Sequence, residues 1–235
     1  MTRPTTEQTL TPALVESLRR LDACRVANTI ETFDGRLRNE GFADGTVRGL
    51  FEELPPIVGH AVTARIRGSA PPPVGHTYRD RTDWWSYILT VPPPRIVVVQ
   101  DVDERRGLGA FVGHVHARIL KSLGCAGYVT NGSVRDLPAV RGIGFQLFAS
   151  SVSVSHAFVH IVDFGEPVTV AGLAIASSDI VYGDIHGVLT IPGDLVAEVP
   201  RAAARIDEHE RRVVALCQSP EFTLDRLRAA VGEIE

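Results

Sequence analysis

Between Gly107 and Asp136 the chain reads GLGAFVGHVHARILKSLGCAGYVTNGSVRD, and this stretch gathers the residue types that can do chemistry. Gly107, Gly109 and Gly113 form a glycine-rich loop that runs into a segment of helical spacing. The first turn of a helix carries N–H groups with no intrahelical acceptor, and the dipole makes that end attractive to an anion. A run of strand character, AGYVTNG, follows and delivers Arg135 and Asp136 beyond its carboxyl end at Asn131-Gly132. That edge of an α/β sheet is where ligands bind. Arginine grips a carboxylate through two parallel hydrogen bonds, and aspartate offers a hard oxygen to a divalent cation. Together they suit a small oxo-acid chelated to a metal. The same pair at a helix start also serves as a cap and a surface ion pair, so spacing alone leaves both roles open.

Other readings of these residues carry less. The three glycines mimic a dinucleotide fingerprint, but the loop opens several residues after its strand, and the next strand ends in Asn131 where an acidic ribose ligand is expected. No GKS or GKT is present, so there is no Walker loop. Lys121 is the only lysine, and any Schiff-base chemistry would have to use it. Its place on the polar side of a helix, near the C-terminal end, reads as a solvated charge favoured by the dipole. A metal is therefore the expected electron sink for a carbonyl substrate. His114 and His116 diverge by about 200° on a helix and do not face one metal together. His156 and His160 are four apart and could share a helical face, yet no HExxH context accompanies them and a structural role is the plainer reading. Asp184 and His186, in GDIHGV, either line a site or stabilise a turn. Trp84 and Trp85 could lid a pocket, or be core or a subunit contact, and contact is the preferred reading.

The elements that must hold these residues are legible from periodicity. TPALVESLRRL has helical spacing, and 22–33 holds a second helix. Gly, Asn, Asp and Pro recur over 35–56, which reads as irregular structure. A strand covers 57–66, and GSAPPPVGHTYRDRTDWW reads as a loop or flap. RIVVVQDV has the β-branched pattern of a buried central strand. A helix over about 113–123 is closed by Gly124. SVRDLPAVRG begins a short helix. FQLFASS and PVTVAG are strands separated by SHAFVHIVDFGE, and IVYGDIHGVLTI is a long strand or a hairpin with Gly183 and Gly187 as bulge or turn points. Helices over 200–217 and 223–231 end the chain. Without a repeat or a composition break, residues 1–235 read as a single α/β domain with a mixed sheet. Its centre is a βαβ unit over 95–132, with N-terminal helices (about 11–34) and C-terminal helices (about 200–232) packed on it.

Composition bounds the class. The 235 residues are 44% hydrophobic and 22% charged with a formal net charge of -4. That balance excludes disorder as the main state and gives no global pull toward nucleic acid or an acidic membrane. No apolar run approaches the roughly 20 residues of a membrane span, and MTRPTTEQTL lacks the apolar region of a signal peptide. Cys24, Cys125 and Cys217 are scattered and fit neither a disulfide framework nor a zinc ribbon. A cytoplasmic setting is the simplest reading.

On VANTIETFDG, VGHAVTARI, the GAFVGHVHA loop, GCAGYVTNGSVRD and SSDIVYGDIHGVLTIP, the chain resembles the RraA-like family from about Ala27 to Val213. That family contains metal-dependent 4-hydroxy-4-methyl-2-oxoglutarate aldolases and the RraA regulators of ribonuclease E. The resemblance implies an α/β/α sandwich with swivelling-domain topology, assembled as a homotrimer or hexamer with sites between subunits. It implies that Arg135 binds a pyruvate carboxylate, that Asp136 ligates Mg2+ or Mn2+, and that the backbone over Gly113, His114, Val115 and His116 holds the oxo-acid. The family has an acidic residue, orienting a metal-bound water, separated from the Arg-Asp pair by twenty intervening residues; this chain has His114 there. A glutamate of the C-terminal helix from the neighbouring subunit shares that task, Glu210 or else Glu208. The implied activity is cleavage of a 4-hydroxy-2-oxo acid to pyruvate, with oxaloacetate decarboxylation through the same enolate. The alternatives are a non-catalytic regulatory protein and a lyase on another small carboxylated substrate. Imidazole adds no negative charge beside a cation and shifts preference from Mg2+ toward softer ions, so His114 implies weakened Mg2+ binding.

Overall fold

The computed structural model describes residues 10–33, 35–74 and 81–232. Along the chain these form α1 (Pro12–Arg19), α2 (Ala23–Glu31), β1 (Arg48–Gly49), β2 (Ile57–Arg67), α3 (Thr82–Thr90), β3 (Arg95–Asp101), β4 (Ala110–Val112) and α4 (His114–Ser122). There follow β5 (Cys125–Val134), α5 (Leu137–Gly142), β6 (Gln146–Val152), β7 (His160–Phe164), β8 (Val168–Val170), β9 (Leu173–Ile175), β10 (Ile180–Asp184), β11 (Gly187–Ile191), α6 (Val199–Cys217) and α7 (Leu224–Val231).

One sheet dominates, in the order β1-β6-β5-β3-β2-β10-β11, with β4 added to β5 and β7 to β2. Its centre is parallel, β6-β5-β3-β2, and its flanks are antiparallel, as a mixed sheet requires. The two edges are drawn together by residues 41–43. Ala43 N–H donates to the Val188 carbonyl at 2.8 Å and Thr190 N–H to the Gly41 carbonyl at 2.9 Å, just before the chain enters β1. The sheet is thus nearly closed, which leaves little strand edge bare.

RIVVV in β3 explains the layering. Val97 and Val99 point into the cluster beneath α3, α4 and α5, while Ile96 and Val98 point into a second cluster covered by the β8–β9 hairpin. A strand buried on both faces reads as a continuous apolar run rather than an alternation. A third cluster packs α1, α2 and the start of α6 against β10 and β11 through Leu18, Val26, Ile30, Tyr182, Leu189 and Val199. Asp22 and Thr11 cap α2 and α1 by accepting from Arg25 N–H and Leu14 N–H.

Four readings of the sequence need correction in the fold. The stretch read as a loop or flap contains α3; its residues 75–80 lie outside the described set. Prolines at 71–73 dominate its composition, but Trp84 and Ile88, one helical turn apart, are buried and drive the helix. Trp84 is no subunit contact: it is fully buried, stacked on Tyr87 at 6.1 Å between ring centroids and tilted against Phe164 at 5.5 Å. The separator after β6 contains β7, so His156 and His160 share no helix; His160 opens a strand and His156 lies in the preceding turn. Finally, β10 and β11 form a hairpin that turns at Gly187 (φ +138°). Gly183 is not a bulge but a close approach, where a Cβ would meet the Phe148 ring at 2.8 Å.

Candidate functional site

The short strand β4 brings the glycine loop and the Arg135-Asp136 segment together. It pairs in parallel with the end of β5, Ala110 opposite Ser133 and Val112 opposite Val134, and Arg135 N–H donates to the Val112 carbonyl at 3.0 Å. β5 therefore does not end at Asn131-Gly132 as its sequence implies. It runs to Val134, with its register to β6 shifting between Thr130 and Ser133, where its other edge passes from β3 to β4. A buried polar floor fixes the loop. The Asp101 carboxylate accepts from Gly107 N–H at 2.7 Å and Asp103 N–H at 3.0 Å, and Ser133 Oγ donates to the Gly107 carbonyl at 2.8 Å. The Asn131 side chain bridges the Asp101 backbone, accepting at 2.7 Å and donating at 3.2 Å. Burial raises the pKa of Asp101 against those donors. At the far end of α4, the Arg95 guanidinium donates to the Leu123 carbonyl at 2.8 Å and satisfies an orphan acceptor of the helix terminus.

At the head of α4 the side chains of Arg135 and Asp136 meet. Arg135 Nε donates to Asp136 Oδ1 at 3.3 Å, and Asp136 Oδ2 accepts from His114 N–H at 3.0 Å. The carboxylate thus occupies the anion-seeking end of α4 rather than capping its own helix α5, for which it makes no side-chain cap. It gets there from a left-handed backbone, φ 57° and ψ 36°, a conformation with a steric cost for any residue bearing a Cβ. The His114 N–H, and after it the Arg135 guanidinium, hold the Asp136 carboxyl below the ordinary carboxylate range, against a burial contribution that raises it. Gly113 is required by proximity: a Cβ there would lie 2.5 Å from Asp136 Oδ2 and 2.9 Å from Arg135 Cγ. Arg135 keeps 29% of its side-chain surface exposed and Asp136 37%. Among the described residues, the two terminal nitrogens of Arg135 have no acceptor, so the fork end of the guanidinium is open.

The remaining residues singled out from the sequence separate. His116 is buried edge-on to the Phe111 ring at 4.6 Å, and its Nδ1 bonds the Phe111 carbonyl at 3.2 Å. Burial depresses its pKa to about 4, so the ring is neutral at pH 7. His114 turns along the helix exterior, where its Nε2 accepts from Arg118 Nε at 2.7 Å. Val115 is exposed beside it. Glu210 lies on α6, which packs chiefly on α2, and pairs with Arg25 at 3.2 Å; Arg25 also pairs with Asp207. Glu208 is exposed. One chain thus keeps Glu210 on the α2 face. Lys121 is not merely solvated, since its Nζ donates to the Ile143 carbonyl at the end of α5. Asp184 accepts from Ala23 N–H at 2.7 Å and His186 N–H at 2.8 Å, a turn and helix-start role. Sequence reasoning missed Asp101, Asn131 and Ser133 as the floor of the loop. The signal was there in polar residues inside two otherwise apolar strands.

Among the described residues no group of three or more His, Cys, Asp or Glu side chains could hold a metal ion. At the head of α4, Asp136 presents an exposed hard oxygen, its carboxyl pKa held below the ordinary carboxylate range. Mg2+ keeps several waters and takes only one or two carboxylates from a protein, so this donor fits a sparsely held hard cation and not a zinc-type cage. A cavity of about 210 Å³ lies elsewhere, lined by Ile57, Pro94, Ala126 and Gln146 at the opposite, amino-terminal ends of the parallel strands.

The family model described as RraA-like, Aldolase/RraA, matches residues 22–190. The chain belongs to the RraA-like family. A Halalkalibacterium halodurans protein provisionally named 4-hydroxy-4-methyl-2-oxoglutarate aldolase is 30% identical over 84 residues, which cover 35% of this chain and 40% of that protein. Two solved structures share the RraA-like fold. An uncharacterised Pseudomonas syringae protein superposes with a TM-score of 0.74 at 19% identity, over 97% of this chain and 99% of that one. Streptomyces coelicolor RraAS2, titled an unusual member of the RNase ES inhibitor RraA family, gives 0.68 at 21% identity, over 90% and 97%. The RraA-like α/β fold with a mixed sheet expected from the sequence is the fold observed. No helix of the described residues is long and apolar enough to cross a membrane.

Proposed function

We propose that this protein is a divalent-metal-dependent lyase that cleaves a 4-hydroxy-2-oxo acid to pyruvate and a second carbonyl product. The observation that carries the reading is the open fork of Arg135 held beside an ionised Asp136 at the head of α4. Arg135 takes the substrate carboxylate through its two terminal nitrogens. The first-turn N–H groups of Val115 and His116 lie at the same helix end and orient the oxo-acid, the His114 N–H being spent on Asp136. Asp136 would hold Mg2+ or Mn2+, which when bound supplies Lewis acidity that stabilises the pyruvate enolate. Oxaloacetate decarboxylation passes through the same enolate and is expected as a second activity.

Exposed apolar residues flank this charged centre: Val115 on α4, Val152 at the end of β6, then Val154 and Phe158. They support burial of this rim against further copies of the chain, as a homotrimer or hexamer, in which Glu210 of a neighbouring copy would reach the site. The family's other branch, the inhibitors of RNA processing, is a second reading. It is favoured by one observation, the His114 side chain tied to Arg118 where an acidic group would serve a cation. Pyruvate release from 4-hydroxy-4-methyl-2-oxoglutarate with Mn2+ separates them. The lyase reading expects turnover in the wild type and none in Arg135→Ala, with unchanged folding by circular dichroism. Turnover that survives Arg135→Ala removes Arg135 from the site.

A further inference from the structure

The loop between β6 and β7 brings one more imidazole to this rim. Three backbone bonds lay that loop beside the site. Ser153 N–H donates to the Val134 carbonyl at 3.0 Å, next to Arg135; Ala110 N–H donates to the Ser155 carbonyl at 2.9 Å; and Phe158 N–H donates to the Gly68 carbonyl at 3.3 Å. The loop presses so closely that a Cβ at Gly109 would lie 2.1 Å from the His156 carbonyl oxygen. Its backbone is strained just after the histidine, with Ala157 at φ 45°, a cost that persists only where the surroundings enforce it. His156 is exposed, and its Nδ1 bonds the Ala110 carbonyl at 3.0 Å. A carbonyl only accepts, so Nδ1 carries the hydrogen and Nε2 presents its lone pair. The bond to Ala110 and the backbone bond from Ser153 to Val134 set the ring beside the strand ends that carry Arg135 and Asp136, and no hydrogen bond joins it to Asp136.

The other two histidines of the region are not available for proton transfer. His114 Nε2 is occupied by Arg118, and His116 is buried. A retro-aldol cleavage needs a group that removes the hydroxyl proton. We infer that His156 is the general base of this site, with Nε2 placed to take the proton of the substrate's 4-hydroxyl while Arg135 holds the carboxylate at the other end. This rests on the lyase reading and names the residue that performs its proton transfer. The O–H electron pair becomes the carbonyl of the departing product as C3–C4 breaks. The C3–C4 pair passes into the 2-oxo group as the pyruvate enolate. The imidazolium then delivers its proton to C3, which restores neutral His156 and gives pyruvate, with nothing oxidised or reduced.

The test is His156→Gln in the full chain, assayed with Mn2+ against 4-hydroxy-4-methyl-2-oxoglutarate and, in parallel, oxaloacetate. Decarboxylation has no hydroxyl proton to remove, and water can protonate its enolate. Cleavage should fall about 10²–10⁴-fold, the usual worth of a positioned acid–base group. Decarboxylation, and calorimetric binding of oxalate with Mn2+, should stay at the wild-type level. Cleavage that survives the substitution overturns the inference, and so does a parallel fall in all three measurements, which is the mark of a structural role. A wild type that decarboxylates and binds oxalate but cleaves no hydroxy acid overturns the lyase reading itself, and the base assignment with it.

Discussion

Replacing Asp136 by glycine and by alanine should separate the two things this residue does. Its carboxylate holds the head of α4 through the His114 N–H at 3.0 Å. A hydrogen bond to a charged group contributes about 1.5–3 kcal/mol when shielded. With 37% of the side chain exposed, solvent screening brings this to about 1 kcal/mol. The backbone at φ 57° opposes it, since a left-handed conformation costs roughly 1–2 kcal/mol for a residue with a Cβ. Asp136→Gly loses the bond but relieves the backbone, and the two changes nearly cancel. Asp136→Ala loses the bond and keeps the strain, for a net loss of about 1 kcal/mol, so the two variants differ by the backbone strain of roughly 1–2 kcal/mol. In a chain of this size 1 kcal/mol moves the melting temperature by about 2–4 °C, so the glycine variant should melt roughly 3–6 °C above the alanine variant. Both should lose pyruvate release and Mn2+-dependent oxalate binding. Differential scanning calorimetry beside the activity assay reads both effects. Equal melting of the two variants refutes the strain argument, and turnover in either refutes the role given to Asp136.

Two further outcomes follow from the same geometry. His116 is held neutral by burial, with its pKa at about 4 instead of 6.5. The unfolded chain therefore takes up the proton first, and stability that is intact above pH 6.5 is lost as pH falls toward 4, by about 3 kcal/mol in total. Urea midpoints at pH 7, 5.5 and 4.5 should fall steeply for the wild type and less for His116→Gln; parallel slopes would show that His116 does not carry the acid sensitivity. At position 114, aspartate in place of histidine adds a negative charge near Asp136. Coulomb attraction of about 1 kcal/mol in a wet site predicts Mg2+ binding roughly 5-fold tighter for His114→Asp by isothermal titration, and equal affinities would show that residue 114 does not face the cation.

The apolar run of β3, the helical spacing of α1 and α2, and the helix of His114–Ser122 closed by Gly124 were all legible, because each is a local pattern of neighbouring residues. α3 was hidden by the composition of the prolines before it. β5 was read two residues short because asparagine, glycine and serine weigh against a strand locally, while pairing to β4 satisfies their backbone. Trp84 could not be distinguished from a contact residue, since burial of an aromatic is a property of what packs over it.

By itself the sequence determined the adjacency of Arg135 and Asp136, the glycine at 113 and the helix that follows, since these are neighbours along the chain or obey its short periods. Tertiary structure alone decided that the Asp136 carboxylate turns back to the head of α4, 22 positions earlier in the chain. It also decided that His156 comes to the same rim from the β6–β7 loop, and that Glu210 stays with Arg25 on another face. Those placements depend on which strands pair and on which residues are buried together, and both are set by the whole core at once rather than by any local run of residues.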